Sequence, residues 1–338
     1  MRLLLLGGTE FVGRAVTEDA LDRGWDVTVF HRGRHEAPRG AASLHGDRTG
    51  DDGLQALAGG EWDAVVDTWS GAPSAVRDTA RLLDGRCGRY AYISSRSVYR
   101  FPAPAGAGED APVVDGSPGD GDDVDYAAAK RGGELAAAEV FGDRALAVRA
   151  GLVLGPYENV GRLPWWLTRI ARGGEVLAPG PRDAGVQYID ARDLAGWTLD
   201  AVERGLGGPY NLVSPPGGTT MGDLLEACVR TTGSDADLVW TPPERILEAG
   251  IEPWIELPIW LPPGEAYDMM HRTSVAKAVS TGLRCRSAQE TVTGTWEWLQ
   301  SIGGQAPQRP DRPRVGLAPG KEAEALRRAD GGRCAVSS

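Results

Sequence analysis

Tyr126 and Lys130 stand four residues apart in Tyr126-Ala127-Ala128-Ala129-Lys130. On a helix, residues at that spacing share a face. An ammonium beside a phenol favours the phenolate and draws a tyrosine's pKa from about 10 toward neutrality. Such a phenol can give a proton to a carbinol oxygen or take one from it, which is general acid–base work. The pair alone is a weak signal, because Tyr and Lys are common on helix surfaces. Ser95 lies upstream, where a strand reading Tyr90-Ala91-Tyr92-Ile93-Ser94 ends. A hydroxyl there can bond a reacting oxygen and stabilise the charge that develops on it. Taken alone, Ser95 reads first as a turn residue. Near the start, Gly7-Gly8-Thr9-Glu10-Phe11-Val12-Gly13 follows a strand and opens a helix. Gly7 allows a tight turn, Gly8 lets backbone approach a pyrophosphate, and Gly13 permits close helix–strand packing. The helix N-terminus adds free N–H groups and partial positive charge.

An acidic residue after the second strand bonds the ribose 2′-hydroxyl of NAD, whereas arginine pairs with the 2′-phosphate of NADP. The chain reads Phe30-His31-Arg32-Gly33-Arg34 there, with two arginines and no carboxylate. His31 and Arg32 therefore join Gly7, Gly8, Thr9, Glu10, Phe11, Val12 and Gly13 as candidate cofactor contacts, and NADP(H) is favoured. Glu10 argues the other way, since its carboxylate would repel a 2′-phosphate, so NAD(H) is the alternative. A Glu10–Arg32 ion pair would remove the conflict. Asp47, after the third strand, can accept hydrogen bonds from an adenine amino group or serve as a local cap.

Such groups need a frame that delivers them to one edge. Arg2–Leu6 and Asp26–Phe30 read as buried strands, with the helix Val12–Arg23 between them. Ser43–His45, Asp63–Thr68, Arg89–Ser94 and Ala145–Val148 supply further strands, and Pro73–Leu83 and Tyr126–Val140 supply helices. The alternation predicts an α/β fold, a Rossmann-type doubly wound parallel sheet. Arg100–Asp125 has no hydrophobic period and reads as a long loop over the sheet's carboxyl edge. Its four aspartates between Asp120 and Asp125 read as a solvated stretch or a lid. The expected division is a NADP(H)-binding domain over 1–155 with parts of 185–215, a smaller, partly helical C-terminal substrate domain over 156–302, and a flexible tail over 303–338. Gln289–Gln300 reads as the helix closing the second domain, and Lys321–Arg328 as a helix within the tail.

Over 338 residues, Lys+Arg 36 against Asp+Glu 47 leaves a net charge of −11. That balance disfavours nucleic acid and anionic membrane surfaces as partners. No apolar run approaches the roughly 18–20 residues that span a bilayer, and the leucine run at the start is too short for a signal peptide. These readings point to the cytoplasm. Cys87, Cys228, Cys285 and Cys334 are scattered without a CxxC, which fits reduced thiols. His31, His35 and His45 share one stretch, but no ligand spacing is evident, so a solvated loop and no metal is expected.

With the glycine loop, Ser94-Ser95-Arg96-Ser97-Val98-Tyr99, Tyr126/Lys130 and Arg149…Gly155-Pro156 in this order, the chain resembles the short-chain dehydrogenase/reductase superfamily, in its extended or atypical branch related to the NAD-dependent epimerase/dehydratases. Glu109-Asp110-Ala111-Pro112 and Gln187–Leu194 also resemble family segments, and the likeness covers roughly residues 1–300. It implies Ser95, Tyr126 and Lys130 as the catalytic triad, with Tyr126 and Lys130 also meeting the cofactor. Ser97 and Gln187 become candidate substrate contacts. The implied activity is hydride transfer between nicotinamide and a carbonyl or carbinol carbon of a small metabolite. A sugar-type epimerase using the same triad is one alternative; a non-catalytic NADP-sensing or RNA-binding member is another. Glu10 stands where the family has its middle glycine, and Ala150 where proline is common. Arg96-Ser97 replaces the Asp-Glu pair of sugar dehydratases, which argues against dehydration. Trp165 and Trp166, with Trp254 and Trp260, are candidates for an aromatic substrate wall or for core packing. Relatives often pair through the YxxxK helix and the one before the Ser95 strand. The alanines of Tyr126–Val140, with Gly132 and Gly133, suit such an approach, so a homodimer is expected.

Overall fold

The computed structural model describes residues 1–305, 308–310 and 312–333. The chain divides into two compact units. One comprises Met1–Val153, Ala191–Val213 and Thr273–Arg284; the other comprises Leu154–Asp190, Ser214–Arg272 and Cys285–Ser338.

The first unit holds β1 (Arg2–Leu6), α1 (Phe11–Asp22), β2 (Asp26–His31), β3 (Ala42–His45), β4 (Trp62–Asp67), α2 (Pro73–Leu83), β5 (Cys87–Ser95), α3 (Tyr126–Phe141) and β6 (Ala145–Ala150), then a helix Ala191–Glu203 and a seventh strand Gly208–Leu212. The strands form one sheet in the order seventh, β6, β5, β4, β1, β2, β3. Every pairing is parallel. Sequence order reverses between β1 and β4, so a crevice opens at the carboxyl ends of those two strands. Leu3, Leu4 and Leu5 are fully buried. Helices cover both faces of such a sheet, which is why β1 is a continuous leucine run instead of an alternating pattern.

The small residues of α3 serve packing within this unit. A Cβ on Gly132 would lie 2.6 Å from Pro73 Cγ, and one on Gly133 would lie 2.5 Å from the Tyr92 hydroxyl. These glycines bring α3 down onto the start of α2 and onto β5. The segment between β5 and α3 is fastened along its length. Arg100 N donates to the Pro112 carbonyl and Val114 N to the Val98 carbonyl. Asp122, Asp123 and Asp125 are exposed, as a solvated stretch predicts, and three of the four aspartates also serve helix starts. Asp122 takes the N–H of Ala72 at 2.8 Å, the Asp120 carbonyl takes that of Ser74, and Asp125 takes that of Ala128 at 2.9 Å. Two helix N-termini, those of α2 and α3, thus find acceptors for otherwise orphan donors.

In the second unit the helices Arg162–Ala171, Met221–Thr232 and Ala288–Ser301 pack together, and Glu175–Pro179 pairs in parallel with Asp237–Thr241. Trp166 and Trp260 are fully buried, and their indole N–H groups donate to the carbonyls of Pro258 and Gly180 at 2.8 and 2.9 Å. They are core residues, with no face left for a ligand. Trp165 is half-buried, edge-on to Trp166 at 4.6 Å. Gln187 is likewise interior: its side chain donates to the Ser214 carbonyl at 2.7 Å, and its N–H to His271 Nδ1 at 3.0 Å. A side chain engaged this way holds the fold, and Gln187 and Trp166, two of the candidate substrate contacts, both lie in the interior of this unit.

The stretch read as a flexible tail carries the helix Pro319–Arg333. Glu322 is buried there, bonded to Arg169 at 2.7 Å and to the N–H of Leu177 at 3.2 Å. Cys87, Cys228 and Cys285 are free thiols, and Cys334 lies outside the described residues. Among the described residues no group of His, Cys, Asp and Glu could hold a metal ion, and no helix is long and apolar enough to cross a membrane.

Candidate functional site

Gly7 leaves β1 with φ +100°, a region that glycine enters without strain, and its N–H donates to the Phe30 carbonyl at 3.0 Å. A Cβ on Gly13 would sit 2.6 Å from the Gly7 carbonyl oxygen, so α1 can start this close to the turn only with glycine. A Cβ on Gly8 would meet Leu5 Cδ2 and Thr17 Oγ1, each at 2.5 Å; glycine is needed there by the inner side of the loop. Thr17 Oγ1 lies 3.1 and 2.9 Å from the Gly8 and Gly13 carbonyls and staples loop to helix, a role no sequence motif announced. Phe11 opens α1 with φ +36°, a strained value for a side-chain-bearing residue. Glu10 is extended (φ −133°, ψ 149°), a conformation open to any residue. Its departure from the family glycine therefore changes what the loop presents, not its course. The carboxylate lies 3.6 Å from His35 Nε2, with both side chains more than half exposed. An ion pair so exposed contributes little. The turn at Gly7, the bare contact at Gly13 and the N-terminus of the twelve-residue α1 fit a dinucleotide pyrophosphate.

The ends of β2 and β3 lie beside this loop. His31 is buried, with Nε2 3.2 Å from Ser43 Oγ and Nδ1 accepting the N–H of Gly33 at 3.3 Å. Burial, then the neighbouring His45 ring at 4.6 Å, holds its pKa below the ordinary histidine range. A neutral ring matches an Nδ1 that accepts. Arg34, His35, Arg39 and Ser43 join these two histidines around a cavity of about 410 Å³. Arg32 is exposed. Asp47 bonds its own turn, accepting from Thr49 N and Oγ1 at 3.1 and 2.9 Å. Those bonds, and more weakly Arg32 and Arg34, hold its carboxyl below the usual range.

The catalytic candidates gather at the same carboxyl edge. Tyr126 is the first residue of α3 and 39% exposed. One turn on, Lys130 is 3% exposed, and its ammonium donates to the carbonyls of Trp69 and Ile93 at 2.5 and 2.7 Å. The ammonium lies 6.0 Å from the centroid of the Tyr126 ring and 4.8 Å from that of Tyr92. Burial, then Asp67 and Tyr126, push the Tyr92 hydroxyl well above the ordinary tyrosine range, so it stays a phenol and donates to the Trp69 carbonyl. Ser95 closes β5; its Oγ accepts the Ser97 N–H at 3.1 Å and donates to Ser97 Oγ at the same distance. Ser97 itself is exposed.

Behind them runs a buried network. Glu134 accepts from Ser94 Oγ at 2.7 Å, from Arg149 Nε and Nη2 at 2.9 and 3.0 Å, and from Arg131 at 3.0 Å. Arg149 also donates to the Tyr99 hydroxyl at 3.0 Å, which donates to Asn211 Oδ1 at 2.6 Å. The Asn211 N–H reaches Glu109 at 2.8 Å. Arg149, Tyr99 and Glu109 belong to segments noted in the sequence. Glu134 was missed, although it follows Lys130 by one helical turn.

The model of the NAD-dependent epimerase/dehydratase family matches residues 3–212. The chain belongs to that family and is an NAD(P)-dependent enzyme. No protein of curated function matches it by sequence. Among solved structures it is similar to a putative epimerase from Burkholderia cenocepacia J2315, at 20% identity and TM-score 0.66, covering 89% of this chain and 98% of that one. It is similar to the Bordetella bronchiseptica enzyme WbmG in complex with NAD and UDP, at 17% identity and TM-score 0.66, covering 93% and 99%. It is also similar to a UDP-galactose 4-epimerase, at 19% identity and TM-score 0.59, covering 90% and 100%. At these identities the likeness concerns the fold.

Proposed function

We propose that the protein is an NADP(H)-dependent oxidoreductase acting in the cytosol on a carbonyl or carbinol carbon of a small metabolite. The nicotinamide dinucleotide, when bound, supplies the hydride donor or acceptor. Tyr126 gives the proton to the substrate oxygen as an alcohol forms, and takes it back in the reverse direction. Ser95 bonds the same oxygen by exchanging its contact with Ser97, and Ser97 borders the substrate. Lys130 holds the nicotinamide ribose and keeps a positive charge beside Tyr126. Residues Gly7 to Gly13 cradle the pyrophosphate, and Arg32, next to His31, meets the 2′-phosphate. The observation that carries the reading is the buried Lys130 ammonium, fixed on two main-chain carbonyls one turn from an exposed Tyr126.

Tyr126→Phe should lower NADPH-linked turnover of a carbonyl panel by roughly 10²–10⁴-fold while calorimetry shows nearly unchanged cofactor affinity. Retention of more than about a tenth of wild-type kcat would remove Tyr126 from this role on that scale. Arg32→Ala should weaken NADPH more than NADH; tighter binding of NADH by the wild type would reverse the cofactor assignment.

The family match favours a second reading, a sugar-type epimerase in which the same triad oxidises a carbinol and reduces it from the other face. Inversion of a UDP-sugar centre, followed by NMR without net change in cofactor absorbance, separates the two. We carry the homodimer through α2 and α3 as part of the proposal; a monomeric mass by light scattering with full activity would remove it.

A further inference from the structure

Beneath the Tyr126/Lys130 face lies a second buried ion pair that the proposed chemistry does not touch. Asp67 ends β4 fully buried, with Arg48 against it. Arg48 Nη1 donates to Oδ1 at 2.6 Å and Nη2 to Oδ2 at 2.9 Å, and the Tyr90 hydroxyl donates to Oδ2 at 2.5 Å. Arg48 is held in turn by Thr79 Oγ1 and the Ala75 carbonyl, each at 3.0 Å, and lies over the Trp69 ring at 5.1 Å. One more donor reaches the carboxylate, the N–H of Trp69 at 2.9 Å to Oδ1. The carbonyl of that same residue is the one that accepts Lys130 Nζ.

We propose that Asp67 and Arg48 are positioning residues for Lys130: Asp67, held in place by Arg48, grips Trp69 by its N–H so that its carbonyl fixes the lysine ammonium. A buried ion pair adds little net stability over apolar residues of similar volume, so geometry is the better account of what this one supplies. The other carboxylate near the lysine, Glu134, is taken up by Ser94, Arg131 and Arg149. Asp67 alone of the two shares Trp69 with Lys130. The inference rests on the reading of Lys130 as the group that meets the nicotinamide ribose.

Calorimetry with two probes tests it. NADPH and NADH carry that ribose; ADP carries only the adenosine and pyrophosphate. Lys130→Met should weaken the dinucleotides by roughly tenfold or more, the lower end of what a charged hydrogen bond is worth, and leave ADP unchanged. The variant Arg48→Met/Asp67→Leu, which strands no charge, should weaken the dinucleotides in the same direction and spare ADP. Combined with Lys130→Met it should add no further loss, because both changes remove one interaction. Asp67→Asn, read in the same way, decides the matter if the double variant does not fold. Equal losses for ADP and dinucleotide, losses that multiply in the combined variant, or wild-type affinity would each overturn the proposal while leaving the Lys130 reading intact. Unchanged dinucleotide affinity in Lys130→Met would overturn both.

Discussion

Asp67 at the end of β4 and Glu134 in the middle of α3 are built from the same parts and serve different ends. Each is buried and each holds an arginine through two hydrogen bonds. Tyr90 bonds Asp67 directly, whereas Tyr99 is reached from Glu134 through Arg149. The Asp67 network reaches Tyr90 on β5, Thr79 and Ala75 on α2 through Arg48, and Trp69 just beyond β4. The Glu134 network spreads through Ser94 on β5, Arg149 on β6, Tyr99 and Asn211 on the seventh strand. Both ion pairs tie several segments together; the one at Asp67 also holds the residue proposed to fix Lys130. The distinction lies in one bond of the carboxylate: Asp67 takes the N–H of Trp69, whose carbonyl accepts Lys130 Nζ.

The largest effect should come from the spread network. Glu134→Ala leaves Arg149 buried with its carboxylate gone and should cost roughly 3–5 kcal/mol, read as a lower urea midpoint. A loss below about 1 kcal/mol would mean that the tie is not structural, since broken buried pairs cost more. A third buried carboxylate, Glu158 in the second unit, sharpens the contrast. It accepts the N–H groups of Arg162 and Leu163 at 2.7 and 3.2 Å, yet burial outweighs these and pushes its pKa up to about 7. Its folded value lies above its unfolded one, so its contribution is present below about pH 4.5 and is lost as pH rises through about 7. Glu158→Gln should flatten that part of the stability profile, changing the difference from wild type by up to about 3 kcal/mol between pH 5 and 8. A difference independent of pH in chemical unfolding would show that the carboxyl stays ionised. At the small end, Arg81 and Glu139 pair at 3.0 Å with more than half of each side chain exposed. Arg81→Ala should shift stability by less than about 0.5 kcal/mol. A loss comparable to that of Glu134→Ala would erase the line between buried and surface pairs.

What was legible in the sequence was local. Helix Pro73–Leu83 has the bounds its pattern predicts, and the glycine loop sits between strand and helix as its spacing requires. Turns that need glycine and helices with an apolar face announce themselves within a few residues. Partners brought from a distance do not. Arg48 meets Asp67 across 19 positions and Lys130 meets Trp69 across 61. A clue was present in Ala64-Val65-Val66-Asp67, where a charge ends an apolar strand and must find a counter-ion. Asp122, Asp123 and Asp125 are exposed as the solvated reading expects, but the capping by Asp122 was not legible, because a cap normally precedes its own helix, as Asp125 does, whereas Asp122 serves a helix fifty residues earlier. For Trp166 and Trp260 the sequence left wall and core open, because an aromatic reads alike as either until its indole N–H partner is known, and burial selects the core.

The outermost strand, Gly208–Leu212, has a consequence for synthesis on the ribosome. A nascent chain released as far as Ala150 already contains the glycine loop, Ser95, Tyr126 and Lys130, yet β6 is still an open edge. At roughly 5–20 residues per second the chain carries that row of unpaired N–H and C=O groups until Leu212 emerges. The match to the family ends at residue 212, where the strand that covers β6 is complete. A fragment cut at Ala150 would therefore hold every group of the proposed chemistry and still offer an adhesive edge to its neighbours.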